Sequence, residues 1–441
     1  MGARDTALSV LSACRKAGAW SDGALRQALR RDGLDRRDAA LATQLCFGVL
    51  QNRMLLDHWI DRFSRGKLQP VVRDILRIAV YQIMLMDRIP PSAAVNEAVE
   101  QVKRRGRPKA AGLVNAVLRK FVVNRQDMPT LPEGSPAERL SVRYSHPKWL
   151  VQRILVQLGE EETEAFLRCN NEIIPTTIQT NHLKATDEQL EKELHLAGVN
   201  VERHPWLPGC FLVSGTGDLE RLDAFSQGHF LVQDAAARLV ALAAQPAPGS
   251  RILDVCAAPG GKSFDLAIDM GDRGDILACD VHPHKLQLME RSAARLGITC
   301  VRTALADGSE AHVSWQGQAD LVVADVPCSG LGIIRKKPDI RYKDPKELER
   351  LPEIQRAILE NAAAYVRPGG TLIYSTCTVL RSENEDVTDG FLSHHPDFVR
   401  EAFSLPQPIG TVGGQITLWP QRLGTDGFYI CKMRRQAEET T

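Results

Sequence analysis

Arg251-Ile-Leu-Asp-Val-Cys-Ala-Ala-Pro-Gly-Gly-Lys-Ser263 reads as a buried strand, a turn of small residues and the first turn of a helix. Gly260 and Gly261 let the backbone at that turn come close to a ligand. The spacing is not the GxGxxG of dinucleotide folds. With no glycine five residues before Gly261, it is not a triphosphate-binding loop either.

Starting with this strand at 252–256, strand patterns recur at 276–280, 300–304, 321–325, 371–375 and 428–433, most of them separated by helical segments. The alternation predicts a doubly wound, mainly parallel sheet, with the last strand a candidate for antiparallel entry. Ligands of such folds sit at the carboxyl ends of the strands. Asp280 ends the second strand, where a carboxylate can accept from both ribose hydroxyls, and Asp307 follows the third, where it could accept from an adenine amino group. Alone, each aspartate reads as a turn or helix-cap residue. At successive strand ends they favour an adenosine-containing ligand. With no provision for a pyrophosphate, S-adenosylmethionine suits the site better than NAD. The cofactor-binding candidates are Cys256, Ala257, Ala258, Pro259, Gly260, Gly261, Lys262, Asp280, Asp307 and Asp325.

Two cysteines are expected at the same edge. Cys328 lies in Asp325-Val-Pro-Cys-Ser-Gly330 after the apolar run Leu321-Val-Val-Ala324, and Cys377 lies in Tyr374-Ser-Thr-Cys-Thr378 after Thr371-Leu-Ile-Tyr374. Two thiols beside a cofactor loop point to covalent catalysis. The residues alone leave open which thiol attacks. The other eight of the ten cysteines are scattered, with no CxxC pair and no metal-ligand spacing, so no metal site is expected. Most of them, such as Cys14, Cys46 and Cys279, read as small reduced core residues of a cytoplasmic protein.

Upstream, residues 4–125 read as helical. In Arg73-Asp-Ile-Leu-Arg-Ile-Ala-Val-Tyr-Gln82 the apolar positions predict a helix with one buried side. Lys103-Arg-Arg-Gly-Arg-Pro-Lys109 reads as a basic loop, making Lys103, Arg104, Arg105, Arg107 and Lys109 candidate phosphate contacts. The net charge of +1 hides a division: residues 1–130 carry 23 Lys and Arg against 12 Asp and Glu, and the remainder 32 against 42. That asymmetry suits a first segment meeting a polyanion, although a solvated basic surface explains it equally well. The polar, proline-bearing run 124–136 reads as a linker, and residues 140–235 as a small α+β module. The domains expected are therefore 1–125 helical, 126–139 linker, 140–235 α+β and 236–441 Rossmann-like α/β. No apolar run is long enough to span a membrane. The first residues lack the apolar stretch of a secretory signal, and their loose match to a myristoylation pattern carries little weight.

With these residues in place, the chain resembles the RNA cytosine-C5 methyltransferases. The resemblance covers Asp254 to Lys262, Asp280, Asp307, Asp325-Val-Pro-Cys-Ser-Gly330 and Ser375-Thr-Cys377, and continues in Arg335-Lys-Lys-Pro-Asp339 and Thr425-Asp-Gly-Phe428. The first 125 residues resemble the RNA-binding domain of NusB, through Ile89-Pro-Pro-Ser-Ala-Ala-Val-Asn-Glu-Ala-Val99 and Gly112-Leu-Val-Asn-Ala-Val-Leu-Arg119. Together with Tyr144-Ser-His-Pro-Lys-Trp-Leu150, this pairing is similar to the bacterial Sun/Fmu (RsmB) subfamily. Tyr342 stands where that family often has tryptophan.

The resemblance implies three parts: an all-α NusB-like domain, a small α+β (RRM-like) module and a Rossmann-like S-adenosylmethionine-dependent methyltransferase domain. It implies methylation of carbon 5 of a cytosine in 16S ribosomal RNA, naked or in a partly assembled subunit, by a monomer with no membrane partner. Cys377 is then the attacking nucleophile, Cys328 assists release, and Asp325 holds the ring nitrogen and amino edge of the base. Arg335 and Lys336 become candidates for lowering a thiol pKa or for contacting RNA. Two alternatives remain: the same chemistry on a transfer RNA, and a NusB-like binding factor whose second half only senses S-adenosylmethionine.

Overall fold

The computed structural model describes residues 2–17, 20–64, 66–128 and 130–437. The chain forms two compact units. One comprises residues 1–172 with the segment Ile334–Lys343, the other residues 173–333 and 344–441.

The first unit is helical: α1 Ala3–Ala17, α2 Ser21–Asp32, α3 Arg36–Gln51, α4 Arg53–Phe63, α5 Pro70–Leu85, α6 Pro91–Arg104, α7 Ala111–Val123, α8 Pro136–Tyr144, α9 Lys148–Leu158 and α10 Glu160–Cys169. Pro70 starts α5 at a position where its missing N–H costs nothing. Sequence periodicity predicts one buried side for this helix. The structure buries it almost all round, including Asp74 and Gln82. Both polar groups are satisfied: Asp74 accepts from Arg15 Nε at 3.0 Å and Arg77 Nη1 at 2.8 Å, while Gln82 accepts from Arg4 and donates to Ile78 O. α5 is thus the axis of a core that includes Leu45, Ile75, Ile78, Val102, Leu118 and Phe121.

Ser135 opens α8 with a capping box to Glu138, inside the stretch expected as a linker (Pro129 lies outside the described residues). α8, α9 and α10 pack within the helical unit. Their apolar faces bury Leu140, Leu150, Ile154, Phe166 and Leu167, and Ser145 accepts from the Leu55 N–H of α4 at 3.1 Å.

The second unit starts with strands β1 Thr176–Thr180, β2 Asn200–Arg203, β3 Cys210–Ser214 and β4 Phe230–Val232, an antiparallel sheet in the order β2-β3-β1-β4. Its core of Ile178, Leu190, Leu194, Phe211 and Phe230 includes apolar residues of the helix Asp187–Leu196. Then come β5 Arg251–Asp254, β6 Asp275–Asp280, β7 Val301–Leu305, β8 Ala319–Asp325, β9 Val366–Thr376, β10 Phe398–Arg400, β11 Phe403–Leu405, β12 Gly410–Val412, β13 Gln415–Leu418 and β14 Phe428–Arg435. The main sheet runs β10-β14-β9-β8-β5-β6-β7, parallel from β9 to β7, with β13 also paired to β14. As expected, the last strand β14 enters antiparallel, in register Tyr429 opposite Thr376. The strand-order reversal brings the carboxyl ends of β5, β8 and β9 together, the place where such sheets put their chemistry.

Candidate active site

After β5 the chain turns through Cys256–Gly260 into the helix Gly261–Asp269. Gly260 has φ +104°, and a Cβ there would stand 2.6 Å from the Phe264 ring, so no larger side chain fits. Asp254, fully buried beneath the turn, accepts from Ser263 Oγ at 2.7 Å. Burial pushes its carboxyl up to about 6, against the pull of the Ser263 bond. Asp280 at the end of β6 accepts from His282 N at 2.9 Å and lies 3.6 Å from Lys285 Nζ. Asp307 is exposed beyond β7 and held by Ser309 Oγ and N, whose hydrogen bonds keep its carboxyl below the usual range.

Burial first, then the charges of Asp254, Asp325, Asp280 and Asp307, push the Cys256 thiol well above its ordinary value. One small-residue loop therefore sits in the field of four carboxylates. That environment suits S-adenosylmethionine, a cation carrying ribose hydroxyls and an amino group, and it repels a pyrophosphate.

The two thiols meet. Cys328 Sγ lies 3.2 Å from Cys377 Sγ, each half-buried, at the ends of neighbouring strands β8 and β9. The hydrogen bond to Cys377, then burial, then the charges of Cys377, Glu383 and Asp325 push Cys328 well above the ordinary thiol range. Asp325 is gripped from both sides, accepting from Lys262 Nζ at 2.6 Å and Ser375 Oγ at 2.8 Å. Burial pulls Lys262 down, but the adjacent Asp325 outweighs it and the ammonium ends above its ordinary value. Lys262, expected among the cofactor residues, thus reaches from the glycine-rich loop to the carboxylate beside the thiols.

Comparison with known proteins fits this geometry. Residues 241–434 match the family described as 16S rRNA methyltransferase RsmB/F, residues 1–123 the NusB family, and residues 146–220 the ferredoxin-like domain of RsmF/B-like methyltransferases. A probable ribosomal RNA small subunit methyltransferase B of Bacillus subtilis is 36% identical over 98% of this chain and 98% of its own length. The chain belongs to the RsmB/F family. A ribosomal RNA small subunit methyltransferase B of Klebsiella pneumoniae is 33% identical over 90% of each chain. The crystal structure of PH0851 superposes with a TM-score of 0.82, at 28% identity, over 98% of this chain and 99% of that one. The cofactor of this RsmB/F member is S-adenosylmethionine, and its fold is the NusB-like, ferredoxin-like and Rossmann-like series expected from the sequence.

The closing motif of this RsmB/F chain has a packing reason. The loop after Cys328 is pinned by Gly332 N donating to Cys377 O at 3.0 Å and Gly427 N donating to Gly332 O at 2.8 Å. A Cβ on Gly332 would stand 1.9 Å from Gly427 O, and one on Gly427 would meet the Gly332 Cα at 2.7 Å. Gly332→Ala and Gly427→Ala should each cost about 2 kcal/mol of stability by forcing the two backbones apart. Chemical denaturation of either variant at the wild-type midpoint would refute that packing.

Of the stretch expected as a basic loop, Lys103 and Arg104 form the last turn of α6 and Lys109 lies in the short helical turn Pro108–Ala110. Lys103, Arg104, Arg107 and Lys109 are exposed and Arg105 is half-buried. Lys103 pairs with Glu100 at 2.7 Å, Arg104 with Asp5 and Glu97, and Arg105 with Asp5 O and Ser9 Oγ. Arg107 and Lys109 pair with no carboxylate among the described residues. Arg335 is a correction: only 6% exposed, it belongs to the helical unit, where its charge acts on Cys169. It is not on the surface expected of a phosphate contact. Lys336 is half-buried in the same segment. Sequence reading passed over Ser375, inside a quoted motif, and Glu383, in the polar run Arg381-Ser-Glu-Asn-Glu385, whose burial no periodicity signals.

Proposed function

We propose that this chain methylates carbon 5 of a cytosine in small-subunit ribosomal RNA through a covalent bond between Cys377 and carbon 6 of the base. The observation that carries it is the pair of thiols 3.2 Å apart beside an Asp325 already oriented by Lys262 and Ser375. Carbon 5 of cytosine is a weak nucleophile. Addition of the Cys377 thiolate to carbon 6 breaks the ring conjugation and moves an electron pair toward carbon 5, dividing one difficult step into easier ones. Asp325 engages the ring nitrogen and amino edge, where charge changes during the addition. Bound at Cys256–Lys262, Asp280 and Asp307, S-adenosylmethionine supplies an electrophilic methyl group. Once Cys377 is bonded to the base, its charge no longer opposes a thiolate at Cys328; Cys328 then gives its proton to water and takes the carbon 5 proton. The electron pair of that C–H bond restores the double bond, and Cys377 leaves as thiolate. A duplex buries carbon 6 of its bases, so the target must be unpaired or flipped out.

The test is transfer of a labelled methyl group to 16S rRNA, naked and in small-subunit precursors, with RNA carrying tritium at carbon 5 of cytosine as a second substrate. The expected result is 5-methylcytosine and release of one tritium per methyl group. Label on a ring nitrogen or a ribose, or label confined to transfer RNA, overturns the reading, and no label at all favours a binding factor.

The exposed cations of the loop after α6 supply contacts to RNA phosphates in this reading. Replacing Arg107 and Lys109 together by Ala should flatten the slope of log affinity against log salt by about 1–2. An unchanged slope removes the loop from the RNA-binding surface.

A further inference from the structure

We propose that Glu383 is a positioning residue for this reaction, holding the two cysteine loops in register and keeping the proton on Cys328. The carboxylate is 1% exposed and sits in the turn Arg381–Glu383, which follows the Cys377 loop. Its Oε2 accepts from the N–H of Ser329, the residue after Cys328, at 2.8 Å. Its Oε1 accepts from the hydroxyl of Thr378, the residue after Cys377, at 3.4 Å. Ser329 Oγ and Thr378 Oγ1 close the triangle at 2.7 Å. Gln355 Nε2 completes the clamp, bonding Glu383 Oε2 at 3.0 Å and the carbonyl of Pro327, the residue before Cys328, at 2.9 Å.

One carboxylate therefore ties together the residues flanking both thiols. The turn itself is fixed: Tyr374 OH donates to Glu383 O at 2.6 Å, and Asn384 bridges Thr376 Oγ1 and Thr378 O. The named donors to the carboxylate are all neutral, so its charge remains to act on its surroundings. Cys328 faces Cys377 from β9, Glu383 from the turn and Asp325 from β8, with Tyr374 also in its field and Lys262 reaching this cluster through Asp325. The Glu383 and Asp325 charges both oppose a thiolate at Cys328. That directs the shared proton to Cys328 and leaves Cys377 as the sulfur free to attack.

Neutral Glu383→Gln retains an acceptor for Ser329 and removes the charge, and Glu383→Ala removes clamp and charge together. The first readout needs no RNA and stands whether or not the cytosine chemistry holds: alkylation of Cys328 by iodoacetamide between pH 6 and 10, followed by mass spectrometry of the intact chain. Losing the charge should let Cys328 ionise at lower pH, so Glu383→Gln should alkylate several-fold faster at pH 8 than wild type. The second readout rests on the proposed reaction. In Glu383→Ala, kcat should fall about 100-fold because the sulfurs lose their mutual alignment, with the dissociation constant for S-adenosylmethionine unchanged. Glu383→Asp provides a variant that keeps the charge and shortens the reach: its Cys328 alkylation profile should follow wild type while kcat falls. Alkylation profiles in Glu383→Gln and Glu383→Ala that superpose on wild type overturn the proposal. So does a fall in kcat that comes only with loss of S-adenosylmethionine binding, since that reports general collapse.

Discussion

Cys377→Ala is expected to lose methylation by at least about 10⁴-fold, the scale seen when a nucleophile is removed from a covalent catalyst. Cys328→Ala should instead retain attack and methyl transfer and then stall. The argument is geometric. The two sulfurs are 3.2 Å apart, so distance does not rank them. The surroundings do. Cys328 shares its neighbourhood with Asp325 and Glu383, whose charges oppose a thiolate there. With Cys328 gone, the carbon 5 proton loses its proposed acceptor, and the bond between Cys377 and the base should persist. A denaturing gel of Cys328→Ala with RNA and a tritiated methyl donor should therefore show a slow band holding protein, RNA and methyl label together. Cys377→Ala should show none. A retained band from Cys377→Ala reverses the roles, and a band without methyl label from Cys328→Ala overturns the assignment of Cys328 to the step after methyl transfer.

How much of this was legible beforehand depends on the kind of contact. The parallel strands were readable because strands covered on both faces are near-continuous apolar runs, as in Leu321-Val-Val-Ala324 and Thr371-Leu-Ile-Tyr374. Their ends then placed Asp280, Asp325, Cys328 and Cys377 at one edge. The direction a long side chain takes is not encoded in such patterns. Lys262 stands in the glycine-rich loop, yet its ammonium bonds Asp325, 63 positions later. Glu383 looks like one more charge in a polar run, and its burial depends on Ser329, Gln355 and Thr378 from three other segments. The segment Arg335-Lys-Lys-Pro-Asp339 misled most. Its composition is that of a solvated basic loop, yet Arg335 acts on Cys169 and Asp339 bonds Ser21, 166 and 318 positions away.

That segment leads to the largest expected effect on stability. Ile334–Lys343 belongs to the helical unit although it stands in sequence between Cys328 and the helix Leu351–Tyr365. Asp339 accepts from the Ser21 N–H and hydroxyl at 2.9 and 2.8 Å, and Tyr342 OH donates to Leu50 O at 2.9 Å under the Arg53 guanidinium, 3.6 Å from its ring. Arg341 is fully buried, and burial pulls it down to about 10, still charged at neutral pH. Its guanidinium donates to Gln51 O at the end of α3, to Tyr144 O and Ser145 O at the end of α8, and to Asn170 O at the end of α10, with Asn171 Oδ1 at 2.8 Å. A single cation thus serves the carboxyl ends of three helices, where unpaired carbonyls and the helix dipoles both call for positive charge. Arg341→Met fills similar volume but takes the side-chain donor from Gln51 O, Asn170 O and Asn171 Oδ1, while Tyr144 O keeps Asn171 Nδ2 and Ser145 O keeps the Tyr342 hydroxyl. The cost should be about 3 kcal/mol for the helical unit, since each orphaned buried acceptor carries a penalty that entering water recovers only in part. For a unit of this size that is a fall of roughly 6–12 °C in its melting temperature. Arg341→Lys keeps the charge without the planar fork and should lose less. Hydrogen exchange should quicken at residues 45–52, 140–146 and 166–171, around the guanidinium. Protection there equal to wild type in Arg341→Met would mean that the three helix ends do not depend on this cation.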